Sequence, residues 1–216
     1  MIKIGVFDSG VGGLSVANAV KKALPEAQVE LREDKENLPY GNKTPEQLLG
    51  FVEPILQGLV KEGCQVIVVA CNTVTTTIIK ELRASIKVPL IGMEPMVKPA
   101  AELTKTSTIA VFATPTTLKS ERYAWLKHEY AKGVKVVEPD CSTWSKMVEN
   151  NQVDKKQIQQ NVDIALNAGA DVIVLGCTHY HWIYNLIKAC TEGRAVVLQP
   201  EQPVIEHLKT VLEQLA

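Results

Sequence analysis

Short apolar runs alternate with amphipathic stretches along the whole chain. Continuous apolar runs, as at 66–70 and 109–113, are typical of strands that are buried on both faces. Between such runs, apolar residues recur at helical spacing, as they do from Thr44 to Gly63. Strands that alternate with helices predict an α/β fold with mostly parallel sheets.

The pattern predicts eight strands and eight helices. The strands are expected at 2–7, 29–31, 66–70, 88–92, 107–113, 134–138, 172–176 and 195–198. The helices are expected at 14–24, 44–63, 74–85, about 114–131, 142–150, 154–167, 181–190 and 204–215. Thr44, Pro45 and Gln47 form a strong helix start. Pro54 is expected to kink or split that helix.

One phrase occurs twice. Val-Ile-Val-Val-Ala-Cys-Asn-Thr at 66–73 returns as Val-Ile-Val-Leu-Gly-Cys-Thr-His at 172–179, an offset of 106 (177 − 71 = 106). The repeat predicts two similar three-layer α/β halves, related by a pseudo-two-fold, with the active site in the cleft between them. The first domain is predicted at 1–93 plus about 204–216, with Asp8 and Cys71, and the second at 94–203, with Thr114 and Cys177.

Those four residues are expected at the carboxyl ends of strands, where ligands bind in parallel sheets. Either cysteine alone is as readily a small core residue. The repeat and the polar residues that follow each cysteine favour a site.

A thiolate is a nucleophile, a metal ligand or a base. Good metal ligands are few nearby, and hydrolysis would leave the second cysteine idle. Two opposed thiols suit removal of a proton from one face of a carbon and delivery to the other, which is racemisation or epimerisation. Each cysteine precedes a helix, which favours the thiolate, and Asp8 and His179 are candidate partners.

Composition narrows the possible classes of protein further. The chain has 216 residues, 46% apolar and 22% charged, with a net charge of −1, which gives no electrostatic case for nucleic acid or an anionic membrane. No apolar run approaches the ~20 residues of a membrane span. Five cysteines without CxxC spacing suggest reduced thiols, and with no export signal at the start we expect a cytoplasmic protein. No lysine marks a pyridoxal site, so no cofactor is expected, and the poor metal ligands beside the two cysteines give no reason to expect a metal.

The same residues resemble the cofactor-independent glutamate racemases of the aspartate/glutamate racemase superfamily. The resemblance spans nearly the whole chain and rests on six segments: Ile4–Gly13, Asp34 with Pro39–Lys43, Ala70–Thr73, Gly176–Tyr180, the series Thr114, Thr117, Ser120 and Tyr123, and Val148-Glu149 after Cys141.

The resemblance implies an isomerase that interconverts L- and D-glutamate and so supplies D-glutamate for peptidoglycan in the cell wall. Its catalytic residues would be Cys71, Cys177, Asp8, His179 and Glu149. Its substrate-binding residues would be Ser9, Pro39, Tyr40, Gly41, Asn72, Thr73, Thr114, Thr117 and Thr178. A homodimer is a further expectation. The alternatives are a racemase for aspartate or another amino acid, and an amino-acid-binding protein without turnover.

Overall fold

The computed structural model describes residues 2–215. The chain divides into two compact units, the first formed by residues 2–94 and 200–215 and the second by residues 95–199. Each unit contains one four-stranded sheet, in which every strand pair is parallel.

The elements alternate along the chain as follows. The strands are β1 (Lys3–Asp8), β2 (Gln28–Glu33), β3 (Val66–Val69), β4 (Leu90–Gly92), β5 (Thr108–Ala113), β6 (Lys135–Val137), β7 (Val172–Gly176) and β8 (Val196–Leu198). The helices are α1 (Gly12–Ala23), α2 (Pro45–Lys61), α3 (Asn72–Ser85), α4 (Val97–Leu103), α5 (Pro115–Lys119), α6 (Glu121–Tyr130), α7 (Trp144–Glu149), α8 (Lys155–Asn167), α9 (Tyr184–Cys190) and α10 (Glu201–Leu215). Three 3-10 helices lie at Lys35–Asn37, Tyr40–Asn42 and Thr178–Ile183.

In the first unit helices cover both faces of the sheet, whose strand order is β2-β1-β3-β4. Phe7 and Ile67 point to one face and pack with side chains of α2 and α3, such as Leu56. Val6 and Val68 point to the other face and pack with side chains of α1 and α10. Successive residues of a strand point to opposite faces, so the central strands β1 and β3, which helices cover on both faces, are buried and mostly apolar, as the apolar runs predicted.

The second unit repeats this plan with the strand order β6-β5-β7-β8. Phe112 and Leu175 pack against side chains of α7, α8 and α9 on one face. Val111 and Val174 pack against side chains of α4 and α6 on the other. The prediction of two similar three-layer α/β halves with parallel sheets is confirmed.

A glycine precedes both cysteine strands because each preceding helix ends in the same way. Gly63 has φ +89° and Gly169 has φ +96°, a left-handed conformation that glycine adopts without steric cost. The N–H groups of Gly63 and Cys64 donate to Val60 and Leu59. This is the glycine-terminated helix end that also closes α8 at Gly169.

Three details of the predicted helices are corrected. α2 runs unbroken through Pro54, so the prediction that Pro54 splits this helix is wrong. A proline inside a helix costs about 3 kcal/mol, and the free energy gained by burying the apolar face of α2 exceeds that cost. The single helix expected from about 114 to 131 is two helices, since Ser120 is extended between them (ψ 146°). α4 was not predicted, because its seven residues include Pro99 and show no clear period.

Candidate active site

The strand order marks one edge of each sheet as a candidate site. In the first unit β1 and β3 are neighbours, and the chain leaves them toward opposite sides of the sheet, to β2 and to β4. A crevice forms beyond the carboxyl ends of strands at such a switch point. Asp8 ends β1, and Cys71 follows β3 closely. In the second unit Thr114 follows β5 directly and Cys177 follows β7 directly. We call these the first site and the second site.

Cys71 is held between the end of β3 and the start of α3. It is the N-cap residue of that helix, and its carbonyl accepts from the N–H of Thr75 at 3.0 Å. Its thiol is buried, with 4% of the residue exposed, and donates to Ser9 Oγ at 3.6 Å. The N-terminus of α3 favours a negative charge on this sulfur. Cys71 and Ser9, which lie 62 residues apart in sequence, are thus brought together.

Asp8, the last residue of β1, belongs to the first site. It is fully buried, and one carboxylate oxygen accepts from the N–H of Gly10 at 3.2 Å. α1 begins so close to Asp8 that a Cβ on Gly13 would lie 2.5 Å from Asp8 Cβ. This close approach leaves room only for glycine at position 13. Packing against Asp8 therefore explains one glycine of the glycine-rich turn.

Asn72 and Thr73 are buried on the first turn of α3. Neither the amide oxygen nor the amide nitrogen of Asn72 hydrogen-bonds to any group in residues 2–215. An unpaired buried polar atom costs about 1–3 kcal/mol, so a side chain with two of them favours a ligand that pairs with both.

Tyr40 belongs to the first site through its neighbours. Its ring is buried in the same apolar cluster as Phe7 and Cys71, and its hydroxyl donates to Asp34 Oδ2 at 2.5 Å. Burial, and next the hydrogen bond to Asp34, raise the pKa of Tyr40 far above its ordinary value, so the hydroxyl keeps its proton. Of its neighbours in the loop, Pro39 is exposed and Gly41 is half-buried.

In the second site three side chains form a chain of contacts. Cys177 Sγ lies 3.8 Å from His179 Nδ1, and His179 Nε2 lies 2.7 Å from Glu149 Oε2. His179 is almost fully buried, while the Glu149 side chain is 18% exposed. The structure thus joins two residues of the repeated phrase to Glu149, which lies 30 residues away in sequence.

The helix that follows Cys177 differs from the one that follows Cys71. Cys177 precedes a six-residue 3-10 helix, Thr178–Ile183, whereas α3 has 14 residues. A short 3-10 helix aligns fewer peptide dipoles. The helix-dipole stabilisation of negative charge, expected at both sulfurs, is therefore weaker at Cys177 than at Cys71. At Cys177 the polar contacts come from His179 and Glu149 instead.

Hydroxyl groups complete the second site. Thr114 Oγ1 donates to Thr117 Oγ1 at 3.0 Å, and the N–H of Thr117 donates back to Thr114 Oγ1 at 3.4 Å. Thr178 follows Cys177 and is buried. The site therefore offers hydroxyl groups for a small anionic ligand next to a thiol and an imidazole.

Sequence reasoning gave no role to several polar groups of these sites. Asp34 has no predicted role beyond its place in a motif, yet it accepts hydrogen bonds from both Tyr40 and Asn37. Cys141 lies in the same apolar cluster as Cys177, and burial raises the pKa of its thiol well above the ordinary value although Asn161 Nδ2 donates to the sulfur. A polar residue directly after a strand is the signal that singles out Asp34.

Residues 2–215 show neither a metal-binding cluster nor a helix that could cross a membrane. That part of the chain contains no group of three or more His, Cys, Asp or Glu side chains placed to hold a metal ion. None of its helices combines the length and the apolar character that a membrane crossing requires.

Comparison with known proteins identifies the class. A model of the family described as Asp/Glu/Hydantoin racemase matches residues 14–212. A glutamate racemase of Methylococcus capsulatus is 38% identical over 97% of this chain and 79% of its own length. One from Herpetosiphon aurantiacus is 39% identical over 97% of this chain and 84% of its own.

Solved structures give the same result. Escherichia coli glutamate racemase, crystallised with L-glutamate and the activator UDP-MurNAc-ala, superposes with a TM-score of 0.91 at 26% identity, over 98% of this chain and 82% of its own. The isoform RacE1 from Bacillus anthracis gives a TM-score of 0.84 at 32% identity, over 99% of this chain and 82% of its own. Fold and relatives together define an α/β enzyme of the isomerase class, a racemase. The chain belongs to the Asp/Glu/Hydantoin racemase family.

Proposed function

We propose that the protein interconverts L- and D-glutamate without a cofactor, with Cys71 and Cys177 as the two acid–base groups. The observation that carries the proposal is the matched pair of strand ends. Two sheets of the same strand order each present a buried thiol after the equivalent strand, β3 or β7. Two matched thiols suit a reaction between mirror images, because the group that is the acid in one direction is the base in the other.

The proposed reaction moves two protons. Cys71, as thiolate, removes the α-proton of D-glutamate, and the thiol of Cys177 delivers a proton to the opposite face of the same carbon. The roles reverse when L-glutamate is the substrate. After either turnover one sulfur has gained a proton and the other has lost one, so exchange with solvent restores the starting state.

The partners of each thiol support these roles. On the Cys71 side, the N-terminus of α3 favours the thiolate, and Asp8 and Ser9 lie at the adjoining strand end. On the Cys177 side, His179 contacts the sulfur and Glu149 contacts the other imidazole nitrogen. A carboxylate on one ring nitrogen fixes the orientation of the imidazole, which suits a group that assists proton transfer at the sulfur.

Binding of the substrate carboxylates is assigned to the hydroxyl, amide and loop groups around the two thiols. Asn72 supplies both a donor and an acceptor that are unpaired within residues 2–215. The other members of this set are Ser9, Pro39, Tyr40, Gly41, Thr73, Thr114, Thr117 and Thr178. Hydrogen bonds to the α-carboxylate stabilise the charge that develops when the α-proton leaves.

The choice of glutamate rests on the relatives. The similar structure from Escherichia coli was crystallised with L-glutamate, and one from Francisella tularensis at 25% identity was crystallised with D-glutamate. D-glutamate made here would enter peptidoglycan synthesis. Because thiolate chemistry needs reduced cysteines, we place the enzyme in the cytoplasm. We also propose a homodimer, which sedimentation velocity would test.

Deuterium incorporation tests the mechanism directly. L-glutamate is incubated with the enzyme in D2O, and both enantiomers are separated at low conversion and analysed by mass spectrometry. A two-base enzyme gives D-glutamate that carries deuterium at Cα, while the recovered L-glutamate keeps its protium. Deuterium in the recovered substrate at the same rate would indicate a single base. Turnover of aspartate alone would select an aspartate racemase, and turnover of neither would favour a binding protein.

Single cysteine variants separate the two roles. Cys71→Ser and Cys177→Ser should each abolish racemisation in both directions, because the enantiomers have equal free energy and kcat/KM must stay equal from either side. Each variant should still eliminate a good β-leaving group from one enantiomer of a glutamate analogue, since elimination needs one base only. Unchanged racemisation in either folded variant would refute the two-base assignment. Cys190→Ser, a change of a buried cysteine outside both sites, is the matched control.

A further inference from the structure

Four hydroxyl side chains of the second unit recur at every third position, at Thr114, Thr117, Ser120 and Tyr123. They form one continuous series of hydrogen bonds. Thr114 Oγ1 donates to Thr117 Oγ1 at 3.0 Å. Ser120 Oγ donates to the carbonyl of Thr117 at 2.8 Å and accepts from the N–H of Tyr123 at 3.2 Å. The spacing thus reflects two helix starts placed end to end.

α5, which Thr114 caps and to which Thr117 belongs, has only five residues. A helix of one turn has no stability of its own. Its orientation is therefore set by what holds its two ends. Thr114 follows β5 directly, and Ser120 at the other end is also the N-cap residue of α6.

α6 is in turn attached to the end of β6 by one buried side chain. Tyr123 is fully buried and packs with Val111 and Ala113 of β5. Its hydroxyl donates to Glu138 Oε1 at 2.9 Å, and Glu138 follows β6 directly. Lys127 Nζ contacts the same oxygen at 2.7 Å. Burial and the neighbouring Glu138 charge raise the pKa of Tyr123, so its hydroxyl stays a donor.

The first unit contains an equivalent pair. Asp34 directly follows β2, which has the same place in its sheet as β6 has in the other. The Tyr40 hydroxyl donates to Asp34 Oδ2. In both units, therefore, a carboxylate at the end of the edge strand next to the site holds a buried tyrosine hydroxyl, although the two tyrosines come from different elements.

We propose that Tyr123 and Glu138 are positioning residues, which hold α5 so that the hydroxyls of Thr114 and Thr117 meet a substrate carboxylate. The inference rests on the proposed function, because it assigns Thr114 and Thr117 to substrate binding. Neither Tyr123 nor Glu138 takes part in proton transfer. Their loss therefore weakens substrate binding in the ground state and the transition state alike.

The test is steady-state kinetics of Tyr123→Phe with L-glutamate. The ring stays in place and only the hydroxyl is lost, so KM should rise about 3- to 10-fold, as expected for one hydrogen bond, while kcat is unchanged. Thr114→Val should raise KM as well. Adding Tyr123→Phe to Thr114→Val should raise KM by less than the product of the two single effects, because the Thr114 contact is already lost and only the Thr117 contact can still be weakened. A purely structural role predicts additive effects.

Asp171→Asn is the matched control. The Asp171 carboxylate accepts from the Thr104 hydroxyl at 2.5 Å, but it lies just before β7, at the opposite end of that strand from Cys177. The KM of this variant should equal that of the wild type. Glu138→Gln, which still offers an oxygen to Tyr123, should give a smaller rise in KM than Tyr123→Phe, and it serves as the second variant if Tyr123→Phe fails to fold.

Hydrogen exchange gives a readout that does not depend on turnover. The N–H of Leu118 donates to the Thr114 carbonyl at 3.0 Å, so it should exchange faster in Tyr123→Phe and remain unchanged in Asp171→Asn. Unchanged KM and exchange in Tyr123→Phe, or equal changes in Asp171→Asn, would overturn the positioning role. Absence of glutamate turnover in the wild type would instead overturn the proposed function, and Leu118 exchange would still decide whether Tyr123 holds α5.

Discussion

Gly13 lies on the first turn of α1, beside Asp8, and the space there is too small for a side chain. A Cβ at this position would lie 2.5 Å from Asp8 Cβ and 3.2 Å from Leu31 Cδ1. Carbon atoms that are not bonded prefer about 3.5–4.0 Å, so the overlap with Asp8 is about 1 Å or more. Asp8 cannot turn aside, because the contact is at its Cβ and its backbone is fixed in β1 between β2 and β3.

Gly13→Ala should therefore displace Asp8 or the start of α1. Overpacking of this kind costs about 1–3 kcal/mol, and the higher helix propensity of alanine returns up to about 1 kcal/mol. We expect a net loss of about 0–3 kcal/mol, or a fall in Tm of up to about 12 °C. A displacement of about 1 Å beside the reacting groups should lower kcat/KM about 100-fold.

Gly58→Ala is the control, because Gly58 lies in α2 with no neighbouring atom within 4 Å of the added Cβ. This variant should gain up to about 1 kcal/mol of stability and keep full activity. Racemisation is followed by circular dichroism of glutamate, and stability by thermal unfolding. Wild-type activity in a folded Gly13→Ala variant would show either that Asp8 does not move or that its position does not matter, and would refute the reasoning.

Two further predictions test other parts of the structure. Glu149→Gln replaces a charged partner of His179 with a neutral one. It should lower kcat/KM about 10- to 100-fold, which corresponds to the free energy of a charge-assisted hydrogen bond, while the fold is retained. An unchanged rate would show that Glu149 has no part in the mechanism. Thr44→Ala removes the hydroxyl that caps α2 and accepts from the N–H of Gln47; it should cost about 0.5–2 kcal/mol in thermal unfolding without affecting racemisation, whereas Thr44→Ser should preserve stability.

Local patterns in the sequence were sufficient to predict most elements and the equivalence of the two halves. Continuous apolar runs identify strands because a strand between two helical layers has no solvated face. The helix end at Gly63 and the start at Thr44 were predicted because such signals act within a few residues. Where competing signals were close together, as around Ser120, the element boundaries were wrong.

Both cysteines could be found from the sequence because the signals that mark them also lie within a few residues. Each ends an apolar strand and begins a polar segment, and the repeat made the two stand out together. The residue types of the candidate sites were thus available without coordinates, including Asn72 and His179 beside the thiols.

Only the tertiary structure decided which side chains meet. Glu149 reaches His179, Ser9 reaches Cys71, and Tyr123 reaches Glu138 because strands and helices distant in sequence are packed side by side. Such pairs depend on where two elements lie in space, and no periodicity of either segment carries that information. The sequence by itself determined the strands, the repeat and the two thiols; the packing of the elements decided the partners that orient and tune them.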